Sequence, residues 1–286
     1  MSGTYTTNAI HDLAEMRDVI NKFKTRGMTV GCVPTMGALH EGHLSLARDS
    51  VAETDITVVT IFVNPTQFAP GEDLDKYPRT LEEDLKLLGD VGVQYVFCPD
   101  TETMYSPGSS TAVAPPKISR KLEGEFRPTH FGGVATIVLK LLNIVEPDIA
   151  FFGQKDFQQV AVVKQMVRDL NVPVEIRACP IIRDEDGLAL SSRNAYLSDE
   201  ERAIALTINK TLSHVRQQIE DGQRDGFEVV TEMRQMLIDG GVSSIDYAAV
   251  VNPDTLESSD PIELPVALLI AVYVGKTRLI DNCVVS

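Results

Sequence analysis

The stretch Val33-Pro34-Thr35-Met36-Gly37-Ala38-Leu39-His40-Glu41-Gly42-His43 constrains this chain more than any other. A β-branched apolar run, Thr29 to Val33, leads into it and predicts a buried strand. Beyond the loop, Gly42 to Glu53 carries Leu44, Leu46, Ala47 and Val51 at helical spacing. The order is strand, tight loop, helix. In that order the N–H groups of the first helical turn face the space above a sheet, a setting that suits a phosphate.

His40 and His43 punctuate the loop with Gly42 between them. At a helix start this spacing turns both imidazoles to one side. Gly42 has no Cβ, so a flat ring such as a nucleobase can approach the backbone there. Imidazoles aimed at phosphates can donate hydrogen bonds to the charge growing on a pentavalent phosphorus. A zinc pair and two solvated loop histidines are the competing readings. Zinc needs a third ligand, and His11, His130 and His214 fall in no ligand-like spacing.

The rest of the chain repeats the strand-and-helix pattern. Ile10 to Arg26 predicts a helix, and Ile56 to Val63 is an almost continuously apolar strand running into Asn64-Pro65-Thr66-Gln67-Phe68. Thr80 to Val91 predicts a helix whose first turn holds Glu82, Glu83 and Asp84. These acids suit a helix N-terminus on dipole grounds, the alternative being help in holding Mg²⁺. Gln94 to Cys98 predicts a strand. Asp100 to His130 is irregular, with a short strand expected near Thr111 to Ala114, and such an excursion suggests a lid or an interface segment. Helix Gly132 to Val145, strand Asp148 to Phe152, helix Phe157 to Leu170 and strand Val174 to Ile182 follow. Alternation over residues 29 to 182 predicts an α/β fold with a doubly wound parallel sheet.

Functional groups in such sheets gather at the carboxyl ends of strands. Asn64 and Gln67 stand at one such end, either as substrate contacts or as an Asn-Pro turn. Gly153-Gln154-Lys155-Asp156 stands at another, with Gln159 one turn along. Lys155 is a point charge for phosphate or carboxylate, and Asp156 can accept from a ribose hydroxyl or cap the next helix. After Arg183 the pattern changes to a polar turn and Leu190-Ser191-Ser192-Arg193-Asn194. Two hydroxyls and a guanidinium can wrap the β- and γ-phosphates of ATP; the other reading is a surface loop before a capped helix at Ser198-Asp199-Glu200-Glu201. Helices to Asp221 and over Gly226 to Asp239, then strands Ile245 to Val251 and Ala267 to Val274, predict a smaller C-terminal α+β domain. The expected division is 1–183 and 184–286.

A net charge of −15 argues against a nucleic-acid surface, which needs a Lys/Arg excess. It leaves room for a small anionic substrate in one basic pocket. Cys32, Cys98, Cys179 and Cys283 are far apart and read as buried free thiols. Met1 to Asn8 is polar, with no secretory h-region. The longest apolar run, Pro265 to Val274, fits a core strand rather than a membrane span. The expectation is a cytoplasmic protein with neither membrane nor nucleic-acid partner.

His40-Glu41-Gly42-His43 after a first strand resembles the HxGH signature of the nucleotidyltransferase superfamily, which includes class I aminoacyl-tRNA synthetases. The eleven-residue string is narrower and resembles the pantothenate synthetases, which join pantoate to β-alanine. Phe62-Val63-Asn64-Pro65-Thr66-Gln67-Phe68 is similar to that family's second-strand motif, and Phe152-Gly153-Gln154-Lys155-Asp156 to its ATP loop. Leu190-Ser191-Ser192-Arg193-Asn194 is similar to its version of the KMSKS loop; Leu190 stands where the family commonly has Met, a volume-conserving swap.

The resemblance implies a Rossmann-like first domain. It implies ATP contacts from Met36, Gly37, Ala38, Leu39, His40, Glu41, Gly42 and His43, and from Gly153, Gln154, Lys155 and Asp156. The Ile182 backbone would meet adenine, with Leu190, Ser191, Ser192 and Arg193 completing the set. Gln67 and Gln159 would hold pantoate, Gln67 and Asn64 β-alanine, and Mg²⁺ would accompany ATP. His43, His40, Lys155, Ser191, Ser192 and Arg193 are the implied catalytic groups, with His43 the imidazole expected to carry a proton. In the implied reaction pantoate attacks the α-phosphorus of ATP, giving pantoyl adenylate and pyrophosphate. The β-alanine amine then displaces AMP. A homodimer is also implied, with the tail's apolar strands and the Asp100 to His130 excursion as candidate interfaces. Two rivals remain. Another HxGH nucleotidyltransferase or adenylate-forming ligase acting on a small carboxylate leaves Gln67 with Gln159 unexplained. A non-catalytic nucleotide-binding protein leaves His40, Lys155 and Arg193 without a role.

Overall fold

The computed structural model describes residues 7–69 and 71–286. The reading of Met1 to Asn8 as lacking a secretory segment falls mostly on Met1 to Thr6, outside the described residues. The chain opens with β1 (Asn8–Ile10), α1 (Leu13–Lys24), β2 (Val30–Thr35), α2 (Glu41–Glu53) and β3 (Ile56–Ile61). Then come α3 (Leu81–Val91), β4 (Tyr95–Phe97), two short helices α4 (Thr101–Met104) and α5 (Glu123–Phe126), and the long α6 (His130–Val145). β5 (Ile149–Gly153), α7 (Phe157–Asp169) and β6 (Glu175–Cys179) complete the first sheet. The remainder is α8 (Asp199–Glu220), α9 (Gly226–Asp239), β7 (Ser244–Val251), β8 (Val266–Val274) and β9 (Thr277–Val285).

The first sheet has six strands in the order β1-β4-β3-β2-β5-β6, and every pair is parallel. Helices cover both faces, as a parallel sheet requires. Met16 and Ile20 of α1 pack with α6 and α7 on one face, while Leu44 and Ala47 of α2 pack with Leu88 of α3 on the other. The doubly wound α/β architecture expected from the alternation is the one observed.

From β2 the chain builds outward through β3 and β4, then returns to lay β5 on the opposite side of β2. The order therefore reverses between β2 and β5. Pairing of β2 with β3 runs from Val30–Ile56 to Thr35–Ile61, whereas pairing of β2 with β5 covers only Gly31–Ile149 and Cys32–Ala150. Beyond Cys32 the two carboxyl ends no longer share a ladder. A crevice at that point is where open α/β sheets bind ligands.

The second sheet is antiparallel, β7-β8-β9. α8 and α9 cover one face through Ile208, Leu212, Met233 and Leu237. The other face, with Ala267 and Leu269, takes Ile118 and Leu122 from the long excursion and Phe157 from α7. Part of the apolar surface of the tail's strands and of the excursion, both expected as dimer interfaces, is thus buried between them within one chain.

Several boundaries differ from expectation, each for a physical reason. Thr111 to Ala114 is not a strand; the Val113 amide donates to Thr136 Oγ1 of α6, and Pro115-Pro116 cannot donate to a ladder. The first helix starts at Leu13, where Asp12 caps it by accepting from the Glu15 amide, because residues 8–10 are drawn off to pair with β4. β6 stops at Cys179, before Pro180. β9 was not anticipated, since Asp281 and Asn282 interrupt its apolar pattern although both are buried. The capping box at Ser198 and Glu201 forms as expected. All four cysteines are free, and Cys283 is only half-buried. Among the described residues no helix is long and apolar enough to cross a membrane.

Candidate active site

A crevice with a cavity volume of about 240 Å³ opens over the carboxyl ends of β2 and β5. Met36, His40, Gly42 and His43 line it from the β2 side, and Gly153, Lys155, Asp156 and Gln159 from the β5 side. Asn64 and Gln67 reach it from the end of β3, and Ile182, Leu190, Ser191, Ser192 and Arg193 from the segment joining the two sheets. Apolar walls come from Phe62, Val134, Ile137 and Leu141.

The two histidines cap their own helix. His40 Nδ1 accepts from the Gly42 amide at 3.2 Å, and His43 Nδ1 accepts from the His40 amide at 3.4 Å. Since both Nδ1 atoms accept, the neutral rings carry their proton on Nε2. The ring centroids lie 4.1 Å apart. Burial pushes His43 down to about 3, with His40 and Lys155 adding like-charge repulsion. Burial and then Lys155 also lower His40. Both are neutral near pH 7 and serve as single N–H donors. The proton-carrying role expected of His43 therefore has no imidazolium behind it unless bound phosphate raises its basicity.

Gly42 lines the crevice, and its missing Cβ also serves its own loop. A Cβ there would sit 2.9 Å from His40 Cε1 and 3.0 Å from its Nδ1. Glycine lets the His40 ring fold back over the helix start. Nor are the loop amides all open to a phosphate. Ala38 and Leu39 donate to the Asp84 carboxylate at 3.0 and 2.8 Å, and Gly37 donates to Thr35 Oγ1 at 3.2 Å. Asp84 is 1% exposed. Its place in an acidic first turn signalled only a dipole effect or Mg²⁺; its observed partners are the loop amides.

Asn64 is 1% exposed and bonded at both ends. Its Oδ1 accepts from Thr66 Oγ1 at 3.0 Å and Tyr105 Oη at 2.8 Å, and its Nδ2 donates to Gln67 Oε1 and to the Gly133 carbonyl, both at 3.2 Å. Gly133 must be glycine, because a Cβ there would meet the Thr66 carbonyl oxygen at 2.4 Å. Asn64 thus serves the turn and orients Gln67, whose Nε2 in turn reaches Met36 Sδ at 3.2 Å. The Gln67 carbonyl is held by His130 Nδ1 at 3.0 Å and Arg127 at 3.4 Å. A carbonyl only accepts, so His130 carries its proton on Nδ1.

Arg127 and His130 line the crevice and were not singled out from sequence. Arg127 grips Glu72 through Nε and a terminal nitrogen at 2.8 and 2.7 Å. Glu123, one helical turn before Arg127, faces Arg278 of β9 at 2.7 and 2.9 Å. The i, i+4 spacing of Glu123 and Arg127 was the available signal.

Five expected ATP contacts do not line the crevice. Gly37, Ala38 and Leu39 turn their amides to Thr35 and Asp84, Glu41 pairs with Arg48 on the surface, and the Gln154 carbonyl is taken by Asn282. Leu190 donates its amide to the Ile182 carbonyl at 3.0 Å, which joins the Ile182 backbone to the Ser191 loop. Ser191 Oγ accepts from the Arg193 amide at 3.3 Å. Among the described residues no group of three or more His, Cys, Asp or Glu is arranged to hold a metal ion, so the zinc reading of the histidine pair finds no third ligand.

The family model for pantoate-beta-alanine ligase matches residues 8–284. The chain belongs to the pantoate–β-alanine ligase family. It is 51% identical over 277 residues to the pantothenate synthetase of Caldicellulosiruptor bescii, covering 97% of this chain and 98% of that one. It is likewise 51% identical over 277 residues to that of Acetivibrio thermocellus, covering 97% and 99%. The crystal structure of pantothenate synthetase from Thermus thermophilus superposes with a TM-score of 0.92 at 41% identity, over 97% of this chain and 99% of that one. The pantoate–β-alanine ligase of Francisella tularensis, solved in complex with beta-gamma ATP and β-alanine, gives a TM-score of 0.82 at 34% identity, covering 97% of each chain. As a member of this ligase family, the chain is an enzyme that joins pantoate to β-alanine. The other nucleotidyltransferase and the non-catalytic protein are thereby set aside.

Proposed function

We propose that the crevice between β2 and β5 carries both half-reactions of an ATP-dependent condensation of pantoate with β-alanine, through a pantoyl adenylate. The observation that carries this reading is one cavity lined by His40, His43, Lys155 and the Ser191–Arg193 loop together with Gln67 and Gln159. Polyphosphate-binding groups and hydroxyl-binding amides face the same space.

In the first step the pantoate carboxylate attacks the α-phosphorus and pyrophosphate leaves. The Nε2–H groups of His40 and His43 donate to the phosphoryl oxygens as their charge grows. Lys155, Ser191, Ser192 and Arg193 take up the β- and γ-phosphates, with Arg193 matching their geometry better than a point charge. Bound polyphosphate opposes the burial that keeps His43 neutral. Gln67 and Gln159 read the pantoate hydroxyls as neutral amides and leave its carboxylate nucleophilic. In the second step the amine of β-alanine attacks the mixed anhydride beside Gln67, pantothenate forms and AMP departs. ATP would bring Mg²⁺ as its counter-ion. Asp156 lines the crevice and is the carboxylate that could hold the ion, whereas Asp84 is committed to loop amides.

We further propose a cytoplasmic homodimer, with residues 1–183 binding ATP and pantoate and 184–286 supplying the Ser191 loop. Four free cysteines support a reducing compartment. Pantoate-dependent exchange of pyrophosphate into ATP, without β-alanine, is the expected result for a two-step scheme. Exchange that strictly required β-alanine would refute it.

A further inference from the structure

Lys155 sits in a loop whose backbone is held from the other sheet. Asn282, on β9, places its side-chain Nδ2 3.0 Å from the Gln154 carbonyl oxygen and 2.9 Å from that of Lys155. Both acceptors are carbonyls, so the NH₂ end must face them, and its two protons serve one oxygen each. The amide orientation follows from this geometry. It leaves Asn282 Oδ1 buried with no hydrogen-bond partner. Asn282 is 2% exposed, and a side chain kept only for packing would have no reason to retain an orphaned acceptor. The residue before it, Asp281, is 4% exposed and fixes the same strand to the junction between the sheets by accepting from Arg183 at 2.6 and 3.0 Å. Asp281 Oδ1 also accepts from the Asn282 amide at 2.7 Å, which sets the strand locally before Asn282 reaches across. Arg183 follows Ile182 directly, so adjacent residues of β9 grip both the Lys155 loop and the Ile182 backbone.

We propose that Asn282 is a positioning residue for adenylate formation: its amide locks the Gln154–Lys155 backbone and so sets the Lys155 ammonium against the polyphosphate. The inference rests on the reading of Lys155 as a phosphate-binding group. It gives the second sheet a part in the chemistry beyond the Ser191 loop. Misplacing a charged group by about 1 Å can cost about 10²-fold in rate, so the effect is expected in turnover rather than in pantoate binding.

The test compares Asn282→Asp, Asn282→Ala, Lys155→Ala and the Asn282→Ala/Lys155→Ala double variant in the full-length protein. Each is assayed by pantoate-dependent ATP–pyrophosphate exchange well below its own melting temperature. Asn282→Asp is isosteric but turns a carboxylate toward two carbonyl oxygens; Asn282→Ala removes the grip without adding charge. Both are expected to lower the exchange kcat by about 10- to 100-fold, with the pantoate KM within about twofold. The double variant is expected to be no slower than Lys155→Ala, because Asn282 has nothing left to position. Near-normal exchange in both Asn282 variants would overturn the proposal. So would a double variant whose loss is the product of the two single losses, or losses matched by equal rises in every KM. A Lys155→Ala enzyme exchanging at the unsubstituted rate would overturn the reading of Lys155 itself, and the positioning role with it. That result is distinct from a failure confined to Asn282.

Discussion

The Asp84 carboxylate lies 2.8 Å from the amide nitrogen of Leu39, and its second oxygen lies 3.0 Å from that of Ala38. These contacts close the β2–α2 loop from behind, with the carboxylate supplied by the first turn of α3. Asp84→Asn turns an NH₂ toward at least one of the two amide donors. Leaving a buried amide unpaired costs about 1–3 kcal/mol, so a loss of unfolding free energy of that size is expected in urea, together with slower exchange as the His40–His43 loop loosens. Unchanged stability and rate would remove Asp84 from the account of the loop.

Acid should destabilise this protein through its buried histidines. Burial lowers His43 to about 3 and His130 to about 4, with Arg127 repelling the latter. An unfolded chain protonates its histidines near the ordinary imidazole value of about 6.5. Below that value the unfolded state binds more protons than the folded one, so stability is fullest above about pH 6.5 and falls as pH drops toward 4. His130→Gln is expected to give a shallower loss of melting temperature between pH 7 and 4 than the unsubstituted protein. Parallel curves would show that His130 does not titrate in this way.

Gln67 is held by its neighbours in the orientation it presents to the crevice. Asn64 donates to its Oε1, Met36 Sδ accepts from its Nε2, and His130 and Arg127 hold its carbonyl. Gln67→Ala should therefore weaken pantoate use by about 1–3 kcal/mol, the cost of leaving buried partners unpaired, while the ATP KM barely moves. Asn64→Ala should lose stability as well, since Tyr105 and Thr66 also donate to it. Paired measurements of melting temperature and pantoate KM check both. A destabilised Gln67→Ala enzyme with normal pantoate KM would mean that Gln67 only braces the turn.

Glu123 is 7% exposed and shared by Arg127 and Arg278, so it joins the excursion to the second sheet. Arg278 also pairs with Asp246 at 2.7 Å, and Tyr247 donates to Glu123 at 3.2 Å. Removing one member of a buried charged group costs about 3–5 kcal/mol because its partners stay buried and uncompensated. Glu123→Gln keeps the shape and removes the charge, and a loss of that order is expected in urea unfolding. A change below about 1 kcal/mol would place these arginines with surface pairs.

What this sequence determines by itself is local. Thr29 to Glu53 encodes strand, loop and helix because a continuous apolar run marks a strand buried on both faces and i, i+3, i+4 spacing marks the buried face of a helix. Asn64 and Gln67, Lys155 and Gln159, and Ser191 to Arg193 could be found because each follows an apolar strand or joins two such regions, and parallel sheets put their strand ends together. The grouping of these side chains around one crevice was legible for that reason. What occupies each backbone group was not. Asp84 reaches Ala38 across 46 positions of chain, and Asn282 reaches Lys155 across 127. No periodicity records such a pairing. Gly42 looked like room for a ligand, and only the tertiary structure shows that its missing Cβ also makes room for the His40 ring. Thr111 to Ala114 had strand-like composition and found a helix side chain for the Val113 amide instead of a ladder. β9 hid its register behind Asp281 and Asn282, whose polar atoms are buried only because Arg183 and the Lys155 loop stand opposite them. Local pattern marks most of the strands and helices, but not all of their ends. The histidine loop is fixed by its own helix cap and by Asp84 of α3, whereas the Lys155 backbone is gripped by Asn282 only once the two sheets have come together.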